Sequence, residues 1–370
     1  MLKRYHIRDY KFNIILTVSV LTIFGIILVG SAKQSVQGKQ ILGMVLGLCV
    51  MAVVSMIDYH FIMKFYWILY GLNIVLLVLI RFIGKEVNGA TRWIEVSGFR
   101  FQPSELTKII LILFFAKYIM KHQEELNKPL VLLRCIILFA MPVFLVYKQP
   151  DLSTSVTLAA VFAAMLFIGG LSYKYIAGVL AVAVPAVAIF MILILQPDQK
   201  ILEGFQYNRI MAWIQPEKYA DTTAYQQNNS IMAIGSGRLG GKGLNNNVVG
   251  SVKNGNFISE PQTDFIFAIA GEETGFIGCC FIIVLLLIII VQCIMTARDA
   301  KDLAGVVIAA GMAALIGFQS FFNMGVASGV LPNTGLPLPF ISYGLTSLVS
   351  LYIGIGLVLN VGLQRERYKF

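Results

Sequence analysis

The chain is 370 residues long, 58% hydrophobic and only 13% charged, with a formal net charge of +10 and a mean hydropathy of +0.79. One soluble core of this length cannot hide that much apolar surface, so a water-soluble enzyme is excluded and an all-α polytopic membrane protein is expected. The basic residues are spread over several loops, not gathered in one patch; this excludes a nucleic-acid partner and assigns the charge to anchoring against an anionic cytoplasmic leaflet.

In chain order, apolar runs of about twenty residues, long enough to cross roughly 30 Å of hydrocarbon, fall at about 12–32, 40–58, 61–81, 103–121, 130–147, 153–171, 174–195, 264–296, 303–325 and 340–362. They predict ten transmembrane helices in a single membrane domain, 1–370, with one large extracytoplasmic loop, about 197–263, between helices 7 and 8. The first run follows Lys3, Arg4, Arg8 and Lys11. It is too long for a signal-peptide core and lacks a small-residue cleavage site, so it reads as an uncleaved helix. The eighth exceeds one straight span, and its first part, Asp264 to about Gly275, is expected to dip into a cavity. An even number of spans puts both termini on one side. Lys117, Lys121, Lys128 and Arg134, then Arg298 and Lys301, then Arg365, Arg367 and Lys369 join the N-terminal cations on that side, which the positive-inside rule makes cytoplasmic. Cys49, Cys135, Cys279, Cys280 and Cys293 lie inside spans without metal-ligand spacing and read as small buried hydrophobes.

Between the third and fourth runs, alternation around Ser97-Gly98 predicts a small hairpin at the membrane surface, with Trp93 at headgroup level. Pro103 then opens a helix in which Glu105 and Lys108, three apart, share a face. Charges there are costly and must pair or face a cavity, so they are either an ion pair bracing the bundle or a contact with substrate. A second Pro-initiated helix follows at Gln149-Pro150-Asp151, where Asp151 is either a cap or a wall of a site.

The long insert holds 207–213, a candidate interfacial helix, and a glycine-rich run from Gly235 to Gly243. Its G-x-G-x-x-G pattern lacks a βαβ context and faces away from cytoplasmic nucleotides, so no nucleotide cofactor is expected. The backbone with Arg238 and Lys242 can instead form an anion-binding nest for phosphate. Asp264 stands at the junction between this polar insert and a strongly apolar helix. Ala268, Gly271, Gly275 and Gly278 share its direction, leaving a face for close helix packing or for a groove. Glu272 and Glu273, about 12–13 Å further along by helix rise, are intramembrane acids that need partners.

Phe101–Lys108, Gln149–Thr154, Ala233–Gly243, Thr263–Ala268 with Glu272-Glu273, and Leu331–Gly344 occur in the order found in the SEDS (shape, elongation, division and sporulation) family, and the chain resembles its RodA/FtsW-like branch over essentially its whole length. The resemblance implies a peptidoglycan glycosyltransferase that polymerises lipid II outside the cytoplasmic membrane with a class B penicillin-binding protein and other elongation or division proteins. It implies that Asp264 matches the family's essential aspartate and that Glu105 and Lys108 match a paired acid and base. A divalent cation, Mg2+ or Mn2+, is implied as a possible cofactor, though the sequence shows no ready-made metal cluster. Leu345-Thr346 stands where the family usually carries a second glycine and a serine, adding bulk without removing a charge. One inverting displacement needs one carboxylate as base, and Asp264 supplies it. Leaving pyrophosphate needs cations, for which Arg209, Arg238 and Lys242 are candidates; Asp151, Glu272 and Ser342 are further substrate-binding candidates. Rival readings are a lipid II flippase and a non-catalytic scaffold of the wall-synthesis complex.

Overall fold

The structure is a computed structural model that describes residues 10–87, 90–96, 99–196, 204–220, 222–245, 251, 255 and 257–364. Lys3, Arg4, Arg8, Ser97, Gly98, Arg365, Arg367 and Lys369 of the sequence reading lie outside the described residues. The chain is mostly helical: α1 (Phe12–Ala32), α2 (Gln34–Met56), α3 (Tyr59–Lys64), α4 (Tyr66–Ile83), α5 (Pro103–Lys121), α6 (Pro129–Tyr147), α7 (Leu152–Ile168), α8 (Tyr173–Ile194), α9 (Gly204–Ile214), α10 (Tyr225–Ser236), α11 (Ile266–Arg298), α12 (Leu303–Ala327) and α13 (Leu345–Leu363).

Helices overlie all ten predicted runs, and seven of them, α1, α2, α4, α6, α11, α12 and α13, are long and apolar enough to cross a membrane. The chain is a multi-pass membrane protein. The third run divides at Phe65 into α3 and α4, and α7, at 17 residues, is shorter than the run predicted there. Pro150 precedes the Asp151 cap instead of opening α7. The all-α expectation is corrected by a small antiparallel sheet, β1 (Lys85–Val87), β2 (Ala90–Val96) and β3 (Phe99–Phe101), in order β1-β2-β3. Val96 pairs with Phe99, which places the anticipated hairpin correctly, while β1 was not foreseen.

The core lies where α5, α12 and α13 meet. Their side chains are buried nearly all round, whereas α1, α2, α4 and α6 keep Leu16, Val45, Phe82 and Phe144 exposed, as helices facing lipid on one side do. At the end of the bundle that carries the termini, Lys11 meets Asp299 at 3.3 Å, and His60 lies between Asp58 at 2.9 Å and Asp302 at 2.7 Å.

At the opposite end α11 breaks. Gly275 takes φ 64° and ψ −161° inside the helix, a backbone open to glycine and hardly any other residue. The 23 residues after it suffice for a full span by helix rise. The segment before it is buried from Ile266 to Glu273, as expected for a stretch set among protein instead of lipid. Both of its ends sit at this end of the bundle. Ser31, in the last turn of α1, donates to Glu273, and Asn323, near the end of α12, donates to the Asp264 carbonyl.

Candidate active site

The segment 331–344 follows α12 without helix or strand, so its backbone groups need partners from elsewhere. Helix side chains provide them. Gln227 donates to Leu331 O at 2.7 Å, Asn323 to Leu336 O at 2.6 Å and Gln319 to Pro337 O at 2.9 Å, while Ser153 donates to Thr334 O. Its far end is tied to the chain just before Asp264: Tyr343 N donates to Gln262 O at 2.8 Å, and Ser342 Oγ donates to Thr263 O at 2.6 Å while accepting from Leu338 N at 2.7 Å. Ser342 is therefore spent on backbone, and the substrate-binding role expected of it is corrected to one of positioning. The segment's centre closes over the carboxylate. Gly335, at φ 72°, lies so near that an added Cβ would stand 3.2 Å from Asp264 Oδ2.

Around that carboxylate the charges alternate. Arg92, on β2, donates to Gln149 O at 3.0 Å and to Pro150 O, and its Nη1 lies 3.8 Å from Asp151 Oδ1. Asp151 also accepts from Thr154 N at 3.1 Å. Asp151 thus caps α7 and also pairs with Arg92. Arg209, on α9, is half-buried. Burial and then Arg92 lower its affinity for its proton, while Asp264 and Asp151 oppose them. Burial pushes Asp264 up to about 6; Glu260 adds to the rise, Arg209 and Arg92 work against it, and Asp151 adds a little. A carboxylate so placed exchanges protons near neutral pH, as a general base requires.

Glu105 and Lys108 form the predicted pair at 2.8 Å, with side chains 3% and 2% exposed. Lys108 also donates to Gln319 Oε1 at 3.0 Å. The pair thereby reaches the Asp264 cover through Gln319 and the Pro337 carbonyl. Glu105 Oε2, Ser320 Oγ, Asn323 Oδ1 and Thr334 Oγ1 are buried without a hydrogen-bond partner among the described residues. Each is costly unless water or a ligand meets it.

The glycine-rich loop is elsewhere. Arg238 O and Leu239 O accept from Phe276 N and Ile277 N, while Lys242 N and Gly243 N donate to Glu272 O and Glu273 O. The loop thus satisfies the backbone that the α11 break exposes, and the amides of Gly241, Lys242 and Gly243 are taken up by carbonyls. Lys242 pairs with Glu272 at 2.8 Å, and the Arg238 side chain is exposed. The backbone partner of Lys242, Glu272, lies eight residues beyond Asp264, roughly 12 Å by helix rise. Of the substrate-binding candidates Arg238, Lys242 and Glu272, the last two are engaged with each other. The glycine face of α11 serves close packing: an added Cβ on Gly271 would meet Ile234 of α10 at 2.9 Å.

Gln319, Asn323, Arg92 and Glu260 were not singled out by sequence. The two amides sit four apart inside an apolar helix, a pattern of intramembrane polar groups that was there to be read. Glu260 carries no such signal. Among the described residues no three His, Cys, Asp or Glu side chains converge to hold a metal.

A family profile described as Cell cycle protein, covering FtsW, RodA and SpoVE, matches residues 9–367. Similar curated proteins include the probable peptidoglycan glycosyltransferase FtsW of Geobacter sulfurreducens, 35% identical, with 96% of this chain and 95% of the relative covered. That of Geobacter metallireducens is also 35% identical, with 97% and 96% covered. A chain of a solved peptidoglycan synthase complex, described as coordinating polymerization and crosslinking, superposes with a TM-score of 0.81 at 26% identity over 98% of this chain and 99% of that one. The Thermus thermophilus rod shape determining protein RodA superposes with a TM-score of 0.71 at 25% identity, over 97% and 98%.

Proposed function

Because the chain belongs to the FtsW, RodA and SpoVE family, we propose that it polymerises lipid II into β-1,4-linked glycan at the outer face of the cytoplasmic membrane, with Asp264 as the general base. The observation that carries this reading is the Asp264 carboxylate, raised to about 6 by burial against the pull of Arg209 and Arg92, with Gly335 of the 331–344 cover beside it at the insert end of the bundle. In the proposed step Asp264 takes the proton of the acceptor sugar 4-hydroxyl. The acceptor oxygen bonds to the donor anomeric carbon as the bond from that carbon to pyrophosphate breaks, and polyprenyl pyrophosphate leaves with inversion. Arg209, whose field acts on Asp264, is the proposed cation for the leaving charge.

The same reading takes 1–370 as one membrane domain of ten spans, with both termini cytoplasmic and about 197–263 outside; the distribution of Lys and Arg supports it. A class B penicillin-binding protein is the proposed crosslinking partner, in line with the synthase complex that the chain resembles. The test compares purified wild-type and Asp264→Asn proteins with that partner, measuring lipid II binding and polymerisation side by side. The substitution should leave binding intact and lower polymerisation at least about a hundredfold, the low end for general-base catalysis. Near-normal synthesis by the variant would remove Asp264 as the base. Binding without synthesis by either form would favour a flippase.

A further inference from the structure

At the end of the bundle that carries the termini, a cleft of about 410 Å³ opens between the start of α4, the end of α5 and the start of α6. Its rim carries two cations, Lys121 from the end of α5 and Arg134 from α6, with His122 of the α5 cap next to Lys121. The wall running deeper is apolar and aromatic, with Trp67 48% and Ile137 59% exposed. Arg134 lies five residues into α6 and Ile137 eight, so the wall descends about 7 to 12 Å from the helix start toward the middle of the membrane. Tyr118 forms the floor of the rim. The His122 ring stacks on it at 4.3 Å, and His122 Nδ1 faces the Tyr118 carbonyl at 2.9 Å.

Two acids, Glu124 and Glu125, follow the rim in the chain, and neither forms an ion pair with Lys121 or Arg134 among the described residues. Glu125 is held by Lys128 at 2.5 Å, and it is this hydrogen bond first that lowers its pKa, His122 and Arg134 adding smaller effects. Glu124 is exposed beside it. Among the described residues no ion pair is formed by Lys121 or Arg134. A headgroup-depth cluster of cations above an apolar slot matches one kind of molecule, with a phosphate at the rim and an acyl chain along the wall. A phospholipid meets both features with one molecule, and a zwitterionic one would bring an ammonium against Lys121 and Arg134.

We propose that this cleft is a binding site for an anionic phospholipid of the leaflet on the side of the termini, which is the inner leaflet on the orientation given above. The phosphate lies between Lys121, His122 and Arg134, and one acyl chain covers Trp67 and Ile137. Basic pockets between transmembrane helices at this depth hold anionic headgroups by the same balance of charge and burial.

The test uses the full chain in detergent, titrated with phosphatidylglycerol or with phosphatidylcholine, with bound lipid counted by native mass spectrometry. Phosphatidylglycerol should be retained in preference to phosphatidylcholine. Lys121→Gln with Arg134→Gln should weaken its retention about thirtyfold, from about fivefold for each cation removed near a membrane surface. A charge-matched control, Lys174→Gln with Arg298→Gln on the same side, should retain it as the wild type does. Trp67→Ala should lower retention of both lipids. If the double variant does not fold, Arg134→Gln alone should still cost about fivefold. Equal retention of the two lipids by the wild type, or a loss in the double variant no larger than in the control, would overturn the proposal. Binding in detergent depends neither on orientation nor on polymerisation, so its failure would leave the enzymatic reading where it stands.

Discussion

At the scale of the residue, Asp264 carries opposite consequences for chemistry and for stability. Its pKa is raised from 3.8 to about 6, chiefly by burial. A base works deprotonated, so the polymerisation rate should fall as pH drops through about 6, approaching tenfold per unit below it. A rate independent of pH between 5 and 7 would remove Asp264 from the proton transfer. The linkage sign is the reverse. A carboxyl whose folded pKa lies above its unfolded value stabilises the fold in acid, and that contribution is lost as pH rises through about 6. At pH 7.5 the ionised group is a burden, and Asp264→Asn should raise stability by about 2 kcal/mol, discounted for its partial exposure. Melting in detergent at pH 7.5 and at pH 4 measures this: the gain should appear at the first and shrink at the second. Its companions Arg92 and Arg209 come from a strand and a helix far apart in sequence. Only the fold brings them to one carboxylate.

Elements divide the labour. The broken helix α11 needs the glycine-rich loop to satisfy its opened backbone, and the loop needs glycines to come that close. At Gly241, φ is 78° and an added Cβ would stand 2.2 Å from Glu273 O. Gly241→Ala should therefore cost stability by more than the roughly 1 kcal/mol of an ordinary left-handed alanine, while Gly240→Ala, with open space around its Cβ position, should be nearly neutral. Equal melting temperatures for the two would show that the loop does not brace α11. The second brace is Glu105–Lys108–Gln319. Removing either charge leaves the other buried without its partner, at a cost of about 3–5 kcal/mol. Glu105→Ala and Lys108→Ala should thus both lower the melting temperature and lose activity, since the cover over Asp264 is held through Gln319. Unchanged melting with lost activity would move the pair from bracing to substrate contact.

For the whole molecule, the proposed orientation is checked at Glu217, an exposed residue of the insert. In a background with Cys49, Cys135, Cys279, Cys280 and Cys293 replaced, Glu217→Cys should react with a membrane-impermeant maleimide in intact spheroplasts. Labelling only after lysis would invert the topology and move the site to the cytoplasmic face.

Sequence by itself determined the membrane class, the places of the helices and the Glu105–Lys108 pair, and it singled out Asp264 as the proposed base. Each rests on local information: an apolar run of spanning length, two charges three apart on a buried helix, one acid at the mouth of an apolar helix. The break at Gly275 was legible for the same reason, because the eighth run is longer than a bilayer. What the glycines, Ser342, Lys242 and Glu272 do was decided by tertiary structure. A glycine-rich loop with two cations carries the same local signature whether its amides face a phosphate or the carbonyls of a broken helix, and a serine hydroxyl serves a sugar or a backbone equally well. Which partner it meets depends on contacts between segments tens to hundreds of residues apart, such as Ser342 with Thr263 and Lys242 with Glu272. Those contacts are fixed only when the bundle closes, because a polar group buried there must take whatever partner the neighbouring helices bring.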